Sequence, residues 1–203
     1  MSKVKICGLG RMADIKAVND FLPDYIGFVF AQSKRKVDVK EAEEFKKNLN
    51  PQIQAVGVFV NEDIDKLSEI YKNGIIDIIQ LHGDESDDYI KNLKDKCGCT
   101  IIKAVGIGDR IPALPTEADY LLFDTLSEQR GGIGKAFDGK ILKDYCGIPY
   151  FLAGGLNAEN VEDSIDMLNP FCVDISSGVE SNGKKDAEKI KEFIYLVRNR
   201  GGK

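Results

Sequence analysis

Short apolar runs alternate along this chain with longer stretches in which apolar residues recur every third or fourth position. Residues 4–7, 25–30, 55–59, 76–81, 101–105, 120–123, 150–153 and 173–175 have the length and composition of buried strands. The amphipathic stretches between and after them predict helices over 13–21, 39–48, 64–73, 87–93, 139–145, 161–168 and 187–198. Asp38 precedes the second helix as a cap, and Asn61 precedes the third, with Glu62 and Asp63 in its first turn. The fifth crossover breaks the pattern. Its Ile111-Pro112-Ala113-Leu114-Pro115 run cannot hold a regular helix interior, so a single turn or a loop is expected there. Eight strands joined by crossovers predict an α/β fold, a single (β/α)8 TIM barrel over residues 1–203 with helix 5 short or replaced by a loop. An open doubly wound sheet is the alternative, but its GxGxxG turn is missing: Gly106-Ile107-Gly108 has no third glycine.

The ends of the last two strands stand out chemically. The run 150–153 stops at Gly154-Gly155, and the run ending at Ile175 stops at Ser176-Ser177-Gly178. Glycines after a strand also simply turn the chain. Two such turns in tandem, at the C-terminal ends of neighbouring strands, predict a phosphate grip built from backbone N–H groups rather than cations. Barrels carry that grip after strands 7 and 8.

Alternation supplies further candidates. On strand 1, Val4 and Ile6 face the helices, so Lys3, Lys5 and Cys7 point into the barrel, with Cys7 last before Gly8. A buried cysteine is ordinarily a small hydrophobe; at the barrel mouth it is also a candidate base. Strand 6 closes on Asp124, either a loop cap or an acid, and the two residues leave room for a substrate between them. Strand 4 ends with Gln80 and His82 on one inward face, a pair suited to positioning a substrate. After strand 2, Ser33-Lys34-Arg35-Lys36 reads as a solvated loop from which Arg35 can grip a carboxylate bidentately. The loop Arg130-Gly131-Gly132-Ile133-Gly134-Lys135 is not a P-loop; it predicts a flap over the site or a third lobe of the phosphate grip, with Gly132 in it. Asp174 alternates with Val173 and Ile175 and faces inward beside strand 1, which predicts a buried ion pair with Lys5.

Composition narrows the classes. A chain of 203 residues, 43% hydrophobic, fits one sizeable core, and a net charge of −5 argues against nucleic acid as a partner. No apolar run approaches the roughly 20 residues of a membrane span, and the opening MSKVKICG leaves no room for a signal peptide. Five cysteines without framework spacing suggest reduced thiols and a cytoplasmic protein. Cys97-Gly98-Cys99 is too close-spaced for a zinc knuckle, and one histidine excludes a histidine-rich metal site.

In order and spacing, KICGL, GFVF, SKR, VGVFVN, QLHGDE, IKAV, FDT, GKAFD, FLAGGLNAENV and VDISSGVE resemble the phosphoribosylanthranilate isomerase family over almost the whole chain. That resemblance implies a (β/α)8 barrel acting in tryptophan biosynthesis without metal or organic cofactor, by Amadori rearrangement of N-(5-phosphoribosyl)anthranilate. It implies Cys7 as general base, Asp124 as general acid and Arg35 as receiver of the anthranilate carboxylate. It also implies Gly154-Gly155 and Ser177-Gly178 as the phosphate turns. Gln80, His82, Gly132 and Asp174 complete the expected substrate-binding set. Gly10 stands where the family often has threonine, Lys34 where proline is common, and Ile133 where the glycine loop commonly has threonine. The expected partner is a small phosphosugar, bound by a monomer or homodimer. Two other readings stay open from the residues alone: a phosphosugar-binding barrel without catalysis, and an isomerase or epimerase of another phosphosugar.

Overall fold

The computed structural model of the chain describes residues 1–108, 110–125 and 139–199. Eight parallel strands close into a barrel in sequence order: β1 (Lys3–Cys7), β2 (Tyr25–Val29), β3 (Gln54–Phe59), β4 (Ile78–Leu81), β5 (Ile101–Ile107), β6 (Tyr120–Thr125), β7 (Tyr150–Leu152) and β8 (Cys172–Ile175). Closure pairs β8 with β1, setting Lys5 opposite Asp174 and Ile6 opposite Ile175. The helices are α1 (Met12–Phe21), α2 (Val39–Asn48), α3 (Ile64–Lys72), α4 (Asp87–Cys97), α5 (Val161–Leu168) and α6 (Ala187–Asn199). A two-stranded hairpin, β9 (Glu180–Ser181) with β10 (Lys184–Lys185), precedes α6.

Local chemistry explains most boundaries. Asp38 caps α2 in a reciprocal box: its carboxylate accepts from the Glu41 N–H, and Glu41 accepts from the Asp38 N–H, both at 2.8 Å. The cap of α3 is Asp63, which accepts from Asp65 and Lys66, and not Asn61 as the sequence suggests. Asn61 takes a left-handed φ of 49° and accepts from the Asp84 N–H, bracing the loop after β4 instead. No helix forms among the described residues between β5 and β6, as the prolines dictate. The helix expected over 139–145 is a single 3-10 turn, Gly139–Leu142, in which only Leu142 is known to be buried.

Two cores follow from strand alternation. Outward residues such as Val4, Ile6 and Phe123 pack with helix residues such as Ile15, Val18, Leu67, Ile190 and Phe193. Inside, β2–β8 contribute Tyr25, Val56, Ile78, Ile102, Leu122, Phe151 and Cys172 to an apolar layer. One inward position further along their strands come Lys5, Gln80 and Asp174, and Cys7 lies beyond Lys5 at the mouth. The barrel thus turns from apolar to charged toward its C-terminal end.

Candidate functional site

At that end the barrel encloses a cavity of about 400 Å³. Cys7, Arg35, Gln80, His82, Asp124, Gly154, Gly155, Asp174 and Ser177 all line it. Gly178 does not. It lines a second recess of about 230 Å³ beside α6, and a Cβ there would meet the Leu156 carbonyl oxygen at 2.2 Å. Close packing of the β7–α5 connection is therefore reason enough for that glycine. Gly132 lies outside the described residues.

Cys7 reaches the cavity because β1 alternates and because Gly27, on β2, has no side chain. A Cβ on Gly27 would fall 2.6 Å from the Cys7 sulfur. Beneath the thiol, Lys5 Nζ donates to Asp174 Oδ2 at 2.7 Å and to Gln80 Oε1 at 2.8 Å. Lys5 is wholly buried and the Asp174 side chain is 7% exposed, so the predicted ion pair is present and almost dry. Burial opposes the Lys5 charge, but the Asp174 carboxylate and the Cys7 sulfur override it and raise the lysine's pKa. Asp174 Oδ1 has no hydrogen-bond partner among the described residues. A buried acceptor left free beside a cavity is suited to a ligand's hydroxyl. Neighbouring cations favour the thiolate. In the folded chain burial is the larger influence and pushes the Cys7 thiol up, with Lys5 and Lys185 opposing it and Asp174 reinforcing it.

Across the cavity Asp124 ends β6. Its side chain is 37% exposed, so the barrel mouth does not desolvate this carboxyl. His82 Nε2 stands 3.7 Å from Asp124 Oδ2, and His82 Nδ1 lies 2.9 Å from Gln80 Nε2. Lys5 donates to Gln80 Oε1, so the Gln80 NH2 faces His82. Nδ1 must then accept, and the ring proton sits on Nε2, toward Asp124. A chain of polar contacts, Asp174–Lys5–Gln80–His82–Asp124, so crosses the barrel from β8 to β6.

Arg35 is not a free grip. Its Nε donates to Glu180 Oε1 at 2.6 Å and its Nη2 to Glu180 Oε2 at 3.1 Å. Lys185 donates to the same Oε1 at 2.9 Å and to the Ser176 carbonyl at 2.8 Å. Ser176 Oγ in turn donates to the Cys7 carbonyl at 3.0 Å, tying the ends of β8 and β1 together. Burial disfavours the Glu180 charge, yet Arg35 and Lys185 hold its carboxyl down to about 2. Glu180 and Lys185 escape the sequence reading because nothing there places them near Arg35. Asn182-Gly183, at φ of 53° and 73°, is the one available signal, since Asn-Gly is a strong hairpin marker. The turn Gly154-Gly155 needs its glycines, with φ of 90° and 69°.

All five cysteines are free. Burial pushes the Cys99 thiol up to about 12, which keeps that thiol protonated and unreactive at neutral pH. No cluster of three or more His, Cys, Asp or Glu side chains suited to a metal occurs among the described residues. Nor is any described helix long and apolar enough to cross a membrane.

Comparison with known proteins bears on this arrangement. The family model described as N-(5'-phosphoribosyl)anthranilate (PRA) isomerase matches residues 4–195. An N-(5'-phosphoribosyl)anthranilate isomerase of Caldanaerobacter subterraneus is 50% identical over 203 residues, covering 98% of each chain. The phosphoribosyl anthranilate isomerase structure from Thermotoga maritima superposes with a TM-score of 0.86 at 34% identity, covering 98% of this chain and 100% of that one. A phosphoribosyl anthranilate isomerase in complex with reduced 1-(o-carboxyphenylamino)-1-deoxyribulose 5-phosphate superposes at 0.82 and 33% identity, with the same coverage.

Proposed function

The chain belongs to the N-(5'-phosphoribosyl)anthranilate isomerase family, and on that premise we propose that it converts N-(5-phosphoribosyl)anthranilate to 1-(2-carboxyphenylamino)-1-deoxyribulose 5-phosphate in tryptophan biosynthesis. The observation that carries the reading is that one cavity is lined by a thiol, a carboxyl on the opposite wall, an arginine and two strand-end turns. Arg35 receives the anthranilate carboxylate, and the Gly154-Gly155 turn together with Ser177 takes the phosphate. Gln80, His82 and Asp174 face the sugar, where the unpartnered Asp174 Oδ1 can accept from a hydroxyl.

Asp124, protonated, gives its proton to the furanose ring oxygen while the C1–O bond breaks and the nitrogen lone pair forms a C1=N bond. Cys7, as thiolate, then takes the proton from C2. The released pair forms C1=C2, and the C1=N electrons return to nitrogen, giving an enolamine. Protonation at C1 and loss of the O2 proton yield the ketone. One proton has then passed from Asp124 to Cys7, and its return resets the site. His82 Nε2–H, aimed at Asp124, suits the carboxylate left after ring opening.

The test is direct. The purified protein is given N-(5-phosphoribosyl)anthranilate and the anthranilate-type fluorescence is followed. A catalysed loss that Cys7→Ser removes supports the reading. Tight binding without loss leaves only a phosphosugar-binding barrel, and that overturns it.

A further inference from the structure

We propose that Glu180 is the positioning residue for Arg35, fixing the guanidinium in the one orientation from which it receives an aryl carboxylate. The inference rests on the function proposed above and concerns how its carboxylate end is set. Arg35 is a long side chain on a loop, with the freedom to point many ways. Two contacts and a brace behind one of them remove that freedom. Glu180 binds it side-on through Nε and Nη2, which fixes both the position and the plane of the fork. Gly8, at a φ of 80°, leaves a slot for the arginine stem: a Cβ there would fall 2.5 Å from Arg35 Cδ and 3.3 Å from Ser176 Oγ. Lys185, with only 2% of its side chain exposed, anchors Glu180 from behind and spends its other donors on Ser176 O and Oγ.

Nη1, which makes no contact with Glu180, remains for a ligand, and Arg35 lines the cavity. The charges fit as well. Arg35 and Lys185 against Glu180 leave one net positive charge, matching one carboxylate. Without Glu180, the Arg35 guanidinium would be free to meet an anion from several orientations, with less regard to its shape. Glu180 therefore favours selectivity over raw attraction. Its hairpin reaches back through Lys185 to Ser176, beside the phosphate turn, so both anionic ends of the substrate are set by one short segment.

A purely structural role for Glu180, holding the hairpin to the barrel, predicts different kinetics, and a double-mutant cycle separates the two. Glu180→Gln should raise KM for N-(5-phosphoribosyl)anthranilate about tenfold, as the loss of one charge-assisted contact implies, with kcat within about threefold. In an Arg35→Met background the same change should leave KM where Arg35→Met alone has put it. Inhibition by inorganic phosphate should not weaken in Glu180→Gln. Equal KM factors in both backgrounds, or an unchanged KM in Glu180→Gln, would overturn the inference. If Glu180→Gln fails to fold, Glu180→Asp serves: its shorter reach keeps one partner and loses the side-on fork, so KM should again rise while kcat holds. A wild-type protein that leaves the substrate untouched would instead overturn the proposed function.

Discussion

Cys7 and Asp124 face one cavity from opposite walls, yet their surroundings differ in nearly every physical respect. Around Cys7, strands β1 and β8 and the β9–β10 hairpin pack two ion-pair clusters, Lys5 with Asp174 and Arg35–Glu180–Lys185, largely out of water. Around Asp124 the described residues supply one imidazole, at 3.7 Å, and more than a third of the carboxyl side chain is open to solvent. The first wall is organised by charges whose desolvation the rest of the fold must offset. The second is organised by a single line of polar contacts running back through His82 and Gln80. A thiol needs help to ionise in a dry place, and two cations supply part of it. A carboxyl at the rim takes its character from whatever next covers it.

The widest separation between the walls should appear in turnover. Cys7→Ser puts a much poorer base in the same place, and kcat should fall by roughly 10²–10⁴ while the aminoketose product binds as before. Asp124→Asn should lose as much, but at ring opening. A Cys7→Ser protein retaining more than about a tenth of wild-type turnover would remove the base from its wall.

Stability should divide the walls next. Lys5→Met or Asp174→Leu alone leaves a buried charge unpaired and should cost roughly 3–5 kcal/mol in urea unfolding, whereas the double replacement should cost less than either. Asp124→Asn, at a partly exposed site, should cost little. Additive losses for Lys5 and Asp174 would mean that the pair is not a unit, despite its 2.7 Å separation.

Acid sharpens the same contrast. The Glu180 carboxyl is held down to about 2 against an ordinary 4.5, so the folded state prefers it ionised. The stability this contributes is present above about pH 4.5 and is lost as the pH falls from there toward 2. On the order of 2 kcal/mol should disappear over that window in wild type and not in Glu180→Gln, by denaturant melts at successive pH values. Parallel curves for the two proteins would place the acid sensitivity elsewhere.

The smallest effect concerns the turn after β7, between the two walls. Among the described residues, no atom beyond the glycine's chain neighbours lies within 4 Å of a Cβ built on Gly155, but its φ of 69° disfavours any side chain. Gly155→Ala should cost about 1–2 kcal/mol in stability and raise KM several-fold. The KM difference should vanish for a dephosphorylated ligand. Normal binding of phosphorylated ligand by Gly155→Ala would move the phosphate grip off this turn.

Much of this was legible along the chain because strand periodicity is local. Alternation alone turns Lys5 and Cys7 inward, sets Asp174 beside Lys5 once eight strands close, and puts Gln80 and His82 on one face. The prolines of the fifth crossover likewise rule out a helix without reference to anything distant. Only tertiary structure decided the rest. Glu180 meets Arg35 across 145 residues, and no period links a loop after β2 to a hairpin after β8. Gly178 shares a turn with Ser177, yet it packs against Leu156 and lines the other recess. The balance at Cys7 and the openness of Asp124 depend on how much water closure removes from each wall. The order of residues determines which charges can meet; desolvation and distance, fixed by all eight strands together, determine which influence wins.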